Sequence, residues 1–304
     1  MEIVRVLPAV ASALRDRRPV VALESSVLAQ GLPAPVNRDA AERMLRAVST
    51  RGAVPAITAV VRGVVAAGLE DAELERFLGR EGITKVSARD LPMTVARRAD
   101  GATTVAAALV IAGLAGIDVF ATGGIGGVHR SLDAHSYDES ADLAEMARTP
   151  AIVVSAGAKS ILDIPATLER LESLGVPVIG YRTEEMPGFF TGETGLELSA
   201  SAESVWDVAA AWRAHRKLNR ATAMLVVQAP PADVALTRRE TERAVENALH
   251  AARRENVHGA ELTPFLLAAV ERETQGRSLG ANLALLEANA MLAAEIAVEL
   301  RRNS

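Results

Sequence analysis

The chain has 304 residues, a formal net charge of −5 and no block of like charges. That balance disfavours a nucleic-acid polymer as partner, because such a surface relies on lysine and arginine to release counterions; a locally positive pocket still allows a phosphorylated small molecule. Cysteine is absent, which excludes disulfides, thiolate metal sites and a cysteine nucleophile and suits a reducing compartment.

Strand and helix signals alternate without a Pro/Gly/Ser-rich linker, so one domain over residues 1–304 is expected rather than two. Near the amino terminus stand Glu2 and an apolar run broken by Pro8, with no basic region leading into a long apolar segment, so no signal peptide is expected. The longest uncharged stretch, 101–117, is short for a membrane span and rich in Gly, Ala and Thr. It reads as a buried helix, and the protein as cytoplasmic.

In chain order, residues 19–23 form a short apolar strand ending at Glu24-Ser25-Ser26, which puts a carboxylate where open α/β sheets place their ligands. Pro35 and Asn37 begin a helical pattern through Ala40, Met44, Leu45 and Val48 that stops near Gly52. Residues 54–61 are a β-rich run, 71–78 an amphipathic helix, and 83–87 a strand centred on Lys85, where a lysine usually faces solvent on an edge. Gly101-Ala102-Thr103-Thr104-Val105 opens the expected buried helix, which ends at Gly116. Two short apolar runs, 117–121 and 151–155, suit strands covered on both faces. A helix is expected from about Ile161 to Leu174, closed by Gly175, and then a strand over 176–180. That order indicates a βαβ unit and a sheet that is at least partly parallel. The pattern weakens over 181–204, a loop long enough to act as a lid or interface arm. A helix near 202–218, a strand at 224–227 and helices near 237–256 and 283–301 complete the chain, with no internal repeat.

The candidate chemistry gathers after the two apolar runs. Thr122-Gly123-Gly124-Ile125-Gly126-Gly127-Val128-His129-Arg130 offers backbone N–H groups that could approach an anion, with His129 and Arg130 as further donors. Its spacing is neither the dinucleotide fingerprint nor the P-loop, and tight turns also gather glycine. Tyr137-Asp138-Glu139-Ser140-Ala141-Asp142 crowds three carboxylates, which a hard divalent cation could use, although the spacing alone favours a solvated loop or a helix start. Lys159, in Ala156-Gly157-Ala158-Lys159-Ser160, is expected just past a buried strand at the start of a helix, where burial and the positive end of the dipole favour a neutral amine. Such an amine adds to a sugar C1 or a carbonyl to give an iminium. A structural lysine that snorkels outward is the alternative.

These motifs, with Val21-Ala22-Leu23-Glu24-Ser25, Lys85-Val86-Ser87, Arg89-Asp90-Leu91-Pro92 and Thr263-Pro264-Phe265-Leu266-Leu267, resemble the pseudouridine-5'-phosphate glycosidases, also called indigoidine-synthase-A-like, from about residue 19 to residue 298. The resemblance implies a three-layer α/β/α sandwich with a largely parallel or mixed sheet, a divalent metal, typically manganese (Mn2+), and a homotrimer. It implies reversible cleavage of the C–C glycosidic bond of pseudouridine 5'-phosphate to uracil and ribose 5-phosphate through a lysine Schiff base. By matched position, Lys159 is the nucleophile, Glu24 the proton donor and Asp138 the metal ligand, while Lys85, Val105, Ser140, Ala141 and Asp142 contact substrate. Asp142 also shares the proton transfers with Glu24, His129 falls in the phosphate region, and either Asn282 or Asn289 answers to a base-contacting asparagine. A lyase or N-glycosidase on another sugar phosphate, or a non-catalytic nucleotide-binding protein, are the rival readings.

Overall fold

Valine, isoleucine, leucine and alanine fill the central strands, and every residue of Val20–Leu23, Ile152–Ser155 and Met224–Val227 is buried, the pattern of strands covered on both faces. The computed structural model describes residues 4–130, 138–257 and 262–302; Glu2 and Tyr137 lie outside these. Its elements begin with β1 (Val4–Val6), α1 (Pro8–Arg15), β2 (Val20–Leu23), a π-turn (Val27–Gly31), α2 (Val36–Thr50), β3 (Val54–Val61), β4 (Val64–Ala67), α3 (Asp71–Gly79) and β5 (Ile83–Val86). Next come α4 (Leu91–Ala96), β6 (Asp100–Thr103), α5 (Val105–Ala115), β7 (Val119–Ala121), β8 (Val128–His129), α6 (Ala141–Met146), β9 (Ile152–Ser155) and β10 (Leu162–Asp163). The chain ends with α7 (Ile164–Ser173), β11 (Val178–Tyr181), β12 (Ser201–Ala202), α8 (Val205–Lys217), β13 (Met224–Val227), α9 (Arg238–Glu255), α10 (Leu262–Glu273) and α11 (Arg277–Arg302).

The main sheet runs β1-β4-β3-β2-β7-β9-β13-β11-β12, with β6 joining β3 and β5 joining β6. From β3 through β12 every pairing along this path is parallel; β3 pairs antiparallel with β4 and β6, so the sheet is mixed at one end. Helix α11 lies across β2, β7 and β9 and packs against α2 and α8, while α5, buried along most of its length, packs on β2 and β3 beside α6. This is the α/β/α layering expected. From β2 the chain moves one way, to β3, whereas from β7 it moves the other way, to β9. The carboxyl ends of β2 and β7 therefore flank a topological switch point, where open α/β sheets bind ligands.

Two expectations about helix starts are corrected. Residues 100–103 form strand β6, because Ala102 and Gly101 pair with Ala59 and Val60; the helix begins at Val105 behind Thr104, whose hydroxyl caps the Ala107 N–H, and it ends at Gly116 in the left-handed region. Lys159 does not open a helix, because Leu162 and Asp163 pair with His129 and Val128 as β10. Helix α7 starts at Ile164, capped by Asp163, which accepts the Ala166 N–H at 2.9 Å. Among the described residues no helix is long and apolar enough to cross a membrane.

Candidate active site

Glu24 follows β2, Thr122 follows β7, and the segment Ala156-Gly157-Ala158-Lys159 follows β9, so three neighbouring parallel strands deliver their next residues to one end of the sheet. Below Glu24 a buried hydroxyl cluster ties the strand ends together. Ser25 Oγ and Thr103 Oγ1 both donate to the Thr58 carbonyl, at 2.7 and 2.8 Å, and Thr58 Oγ1 donates to the Leu23 carbonyl at 3.0 Å. Such a network fixes the backbone from which Glu24 projects. The Glu24 side chain is itself buried, and each carboxylate oxygen accepts a hydroxyl at 2.5 Å, one from Ser26 and one from Thr122. The Thr122 bond spans the switch point.

Much of the backbone of the glycine-rich run is held by hydrogen bonds within the protein. Five of its N–H groups are bonded in this way: Thr122 to the Val154 carbonyl, Ile125 to the Gly157 carbonyl, Gly126 to Asp142 Oδ2, Val128 to Thr167 Oγ1 and His129 to the Asp138 carbonyl. The glycines also serve close packing. A Cβ on Gly126 would stand 2.1 Å from Ser140 Oγ, and one on Gly124 would stand 2.5 Å from the Phe189 ring. Arg130 also turns away, its guanidinium donating to the carbonyls of Leu162 and Ser160 beside a separate cavity.

Lys159 is pinned by its backbone, donating to the Ile125 carbonyl at 3.1 Å and accepting the Leu162 N–H at 2.9 Å. Its half-buried side chain lines two adjoining cavities that share Glu24, Ser26, Lys85 and Thr263. The wider one holds about 460 Å3, enough for a small ligand, and is lined by Val105, His129, Asp138, Ser140, Ala141 and Asp142 as well. The narrower one runs between the π-turn, Phe189 and the start of α10, and it reaches Asn282.

Lys85 stands on β5, which pairs only with β6 among the described residues, so the edge position is as expected. Its side chain faces this cleft. Burial in the cleft walls pushes its ammonium below the ordinary lysine range, repulsion from Lys159 adds to this, and Glu24 and Asp142 oppose it. Solvent still reaches Lys85 through the cleft mouth, so its desolvation is partial.

The three crowded acids have separate surroundings. Asp142 is buried, with Oδ1 accepting the Ala106 N–H at 2.9 Å and Oδ2 the Gly126 N–H at 2.8 Å; it ties the start of α5 to the glycine run. Glu139 pairs with Arg170 at 2.8 Å. Asp138 is half-exposed, with Oδ2 3.8 Å from His129 Nδ1. Among the described residues no group of three or more His, Cys, Asp or Glu could hold a metal ion, so any cation taken by Asp138 there would keep mostly water.

The two candidate asparagines separate clearly. Asn289 is buried and spent on structure, donating to the Thr122 and Gly123 carbonyls and accepting from Gln228. Asn282 is half-buried on the cavity wall. Sequence reasoning gave no role to Thr122, Gln30 or Phe189, although a hydroxyl directly after a buried strand, as at Thr122, was a usable signal.

Residues 9–299 match the family model described as indigoidine synthase A like protein. The chain is 58% identical to a protein of Gemmatimonas aurantiaca named pseudouridine-5'-phosphate glycosidase, over 97% of this chain and 96% of that one. It is 45% identical to a protein of the same name from Escherichia coli, over 99% and 96%. Among solved structures it resembles a prealnumycin C-glycosynthase in complex with ribulose 5-phosphate, with a TM-score of 0.91 and 38% identity over 100% and 98% of the two chains. An indigoidine synthase A-like protein from Thermotoga maritima aligns with a TM-score of 0.89 and 36% identity, over 99% and 98%.

Proposed function

The chain belongs to the indigoidine synthase A like family, and from that premise we propose that this enzyme reversibly cleaves the C–C glycosidic bond of pseudouridine 5'-phosphate to uracil and ribose 5-phosphate. The observation that carries the reading is the convergence of Glu24, Lys159 and Lys85 on one cleft at the switch point. A C–N nucleoside needs only oxocarbenium stabilisation and an acid for the leaving group. Here uracil would depart as a carbanion, so a proton must be placed on carbon. With the ribose ring opened, the Lys159 amine takes C1' covalently and the base leaves on protonation at C5; water then releases ribose 5-phosphate from the iminium. Glu24 carries the protons at the ring oxygen and at C5. Asp142, whose two oxygens each hold a backbone N–H, acts first as the positioning residue for these walls.

The phosphate is assigned to the wider cavity, near Lys85, His129, Ser140 and Val105, where the ammonium and the imidazole are the side-chain donors suited to an anion. The pentose phosphate bound to the C-glycosynthase relative supports this class of ligand. Incubation with pseudouridine 5'-phosphate and with uridine 5'-phosphate tests the reaction: free uracil is expected from the first alone. Uracil from uridine 5'-phosphate would mean C–N cleavage, and uracil from neither would remove the reading.

Since Lys85 loses its charge below the ordinary lysine range, affinity for ribose 5-phosphate should fall as pH climbs toward that range. Lys85→Arg stays protonated and should abolish this dependence. Native affinity that stays flat to about pH 10 would take Lys85 out of phosphate binding.

A divalent cation, manganese by resemblance, would be held by Asp138, with water supplying most of its other ligands. Bound there it would stabilise negative charge on substrate oxygens; no step above depends on it. Calorimetry should register Mn2+ binding to the native protein and lose it in Asp138→Ala. Equal heats from both proteins would remove the assignment.

A further inference from the structure

Gln30 lies in the π-turn Val27–Gly31, a widened helical turn of a kind often found at functional sites, which carries its side chain to the wall of the narrower cavity near Glu24. Its Nε2 donates to the Ile83 carbonyl at 3.2 Å. That bond fixes the orientation of the amide, since only the NH2 end can serve a carbonyl. The other end, Oε1, is shut off from water and has no hydrogen-bond partner, a costly condition for an acceptor and one that calls for an explanation. Asn282 brings a second amide to the same cavity, and Leu267 and Pro264 give it apolar walls.

Building on the reaction assigned above, we propose that Gln30 determines base specificity: in the loaded site its Oε1 accepts a ring N–H of the departing pyrimidinedione. A uracil joined to the sugar through C5 carries N–H groups at N1 and N3, whereas Asn282 can donate to a carbonyl edge of the same ring. N1 and N3 stand symmetrically about the C1'–C5 bond, so in any one pose of the ring Gln30 meets only one of the two N–H groups, and the fixed amides of the cavity select the pose. A methyl group or a lone pair at that nitrogen leaves Oε1 unpaired or opposed, which is the way a polar site rejects an analogue.

The test compares pseudouridine 5'-phosphate with its N1-methyl and N3-methyl derivatives, using the native protein and Gln30→Met. The native protein should cleave one derivative with kcat/KM reduced about tenfold or more relative to the parent. In Gln30→Met that derivative and the parent should differ by no more than about threefold. Each ratio is taken within one protein, so a lower active fraction in the variant cancels. Binding of uracil, 1-methyluracil and 3-methyluracil to the native protein gives a second reading that needs no variant, and one methyl compound should bind about tenfold more weakly. Ratios that are the same in both proteins overturn the proposal, as does native protein that tolerates both methyl groups. Cleavage of the parent compound shows that the reaction stands even when the Gln30 proposal fails; no cleavage of the parent strikes at the reaction instead.

Discussion

Lys159→Arg and Lys159→Ala are both expected to lose turnover by roughly 10³-fold or more, because a guanidinium stays protonated and cannot form an iminium. A lysine that only paired with phosphate would act as a point charge, and arginine would then keep a good part of the rate. Its backbone is held from both sides, by Ile125 and Leu162, so neither substitution should move the cleft walls. Borohydride added with ribose 5-phosphate should reduce the iminium to a stable amine and leave a pentose phosphate on the peptide containing Lys159. The chain has two other lysines, Lys85 and Lys217, which serve as internal controls in the same digest. An adduct on Lys85 would exchange the two roles. Robust turnover by Lys159→Arg would remove covalent catalysis altogether.

Short-range patterns made much of the sheet legible. Residues 54–61 and 224–227 appear as β3 and β13 with the bounds expected, because β-branched and aliphatic runs of that length have few other uses. What failed depended on long-range partners. Leu162 and Asp163 look like the opening of a helix until β8 pairs with them, and Gly101 to Thr103 look like helix until β3 and β5 claim them as a strand. The sequence left the two asparagines open for a geometric reason. Asn282 and Asn289 are seven residues apart on α11, two turns, so they share a face and differ only by about 10 Å along the axis. One lies under the glycine run and the other at the cavity. Of the two hydroxyls on Glu24, Ser26 is a near neighbour in sequence, whereas the pairing with Thr122, 98 residues away, depends on β2 and β7 lying side by side.

Glu24→Gln is the other substitution expected to act strongly, and it separates proton transfer from covalent chemistry. Glu24 is buried, and its side chain's described hydrogen-bond partners are the two hydroxyls of Ser26 and Thr122, so an amide can fit if one hydroxyl turns to accept. The fold should therefore survive. Loss of a positioned proton carrier typically costs 10²- to 10⁴-fold, and uracil release should fall by about that factor. Iminium formation from the open-chain aldehyde of ribose 5-phosphate relies on Lys159, so borohydride should still trap an adduct in Glu24→Gln. The expected signature is an adduct retained and cleavage lost. Thr122→Val, which takes away one hydroxyl donor and leaves the carboxylate, should cost less, on the order of tenfold. Uracil release by Glu24→Gln within about tenfold of native would deprive Glu24 of the proton-carrying role, and loss of both adduct and cleavage would make it a residue that positions Lys159.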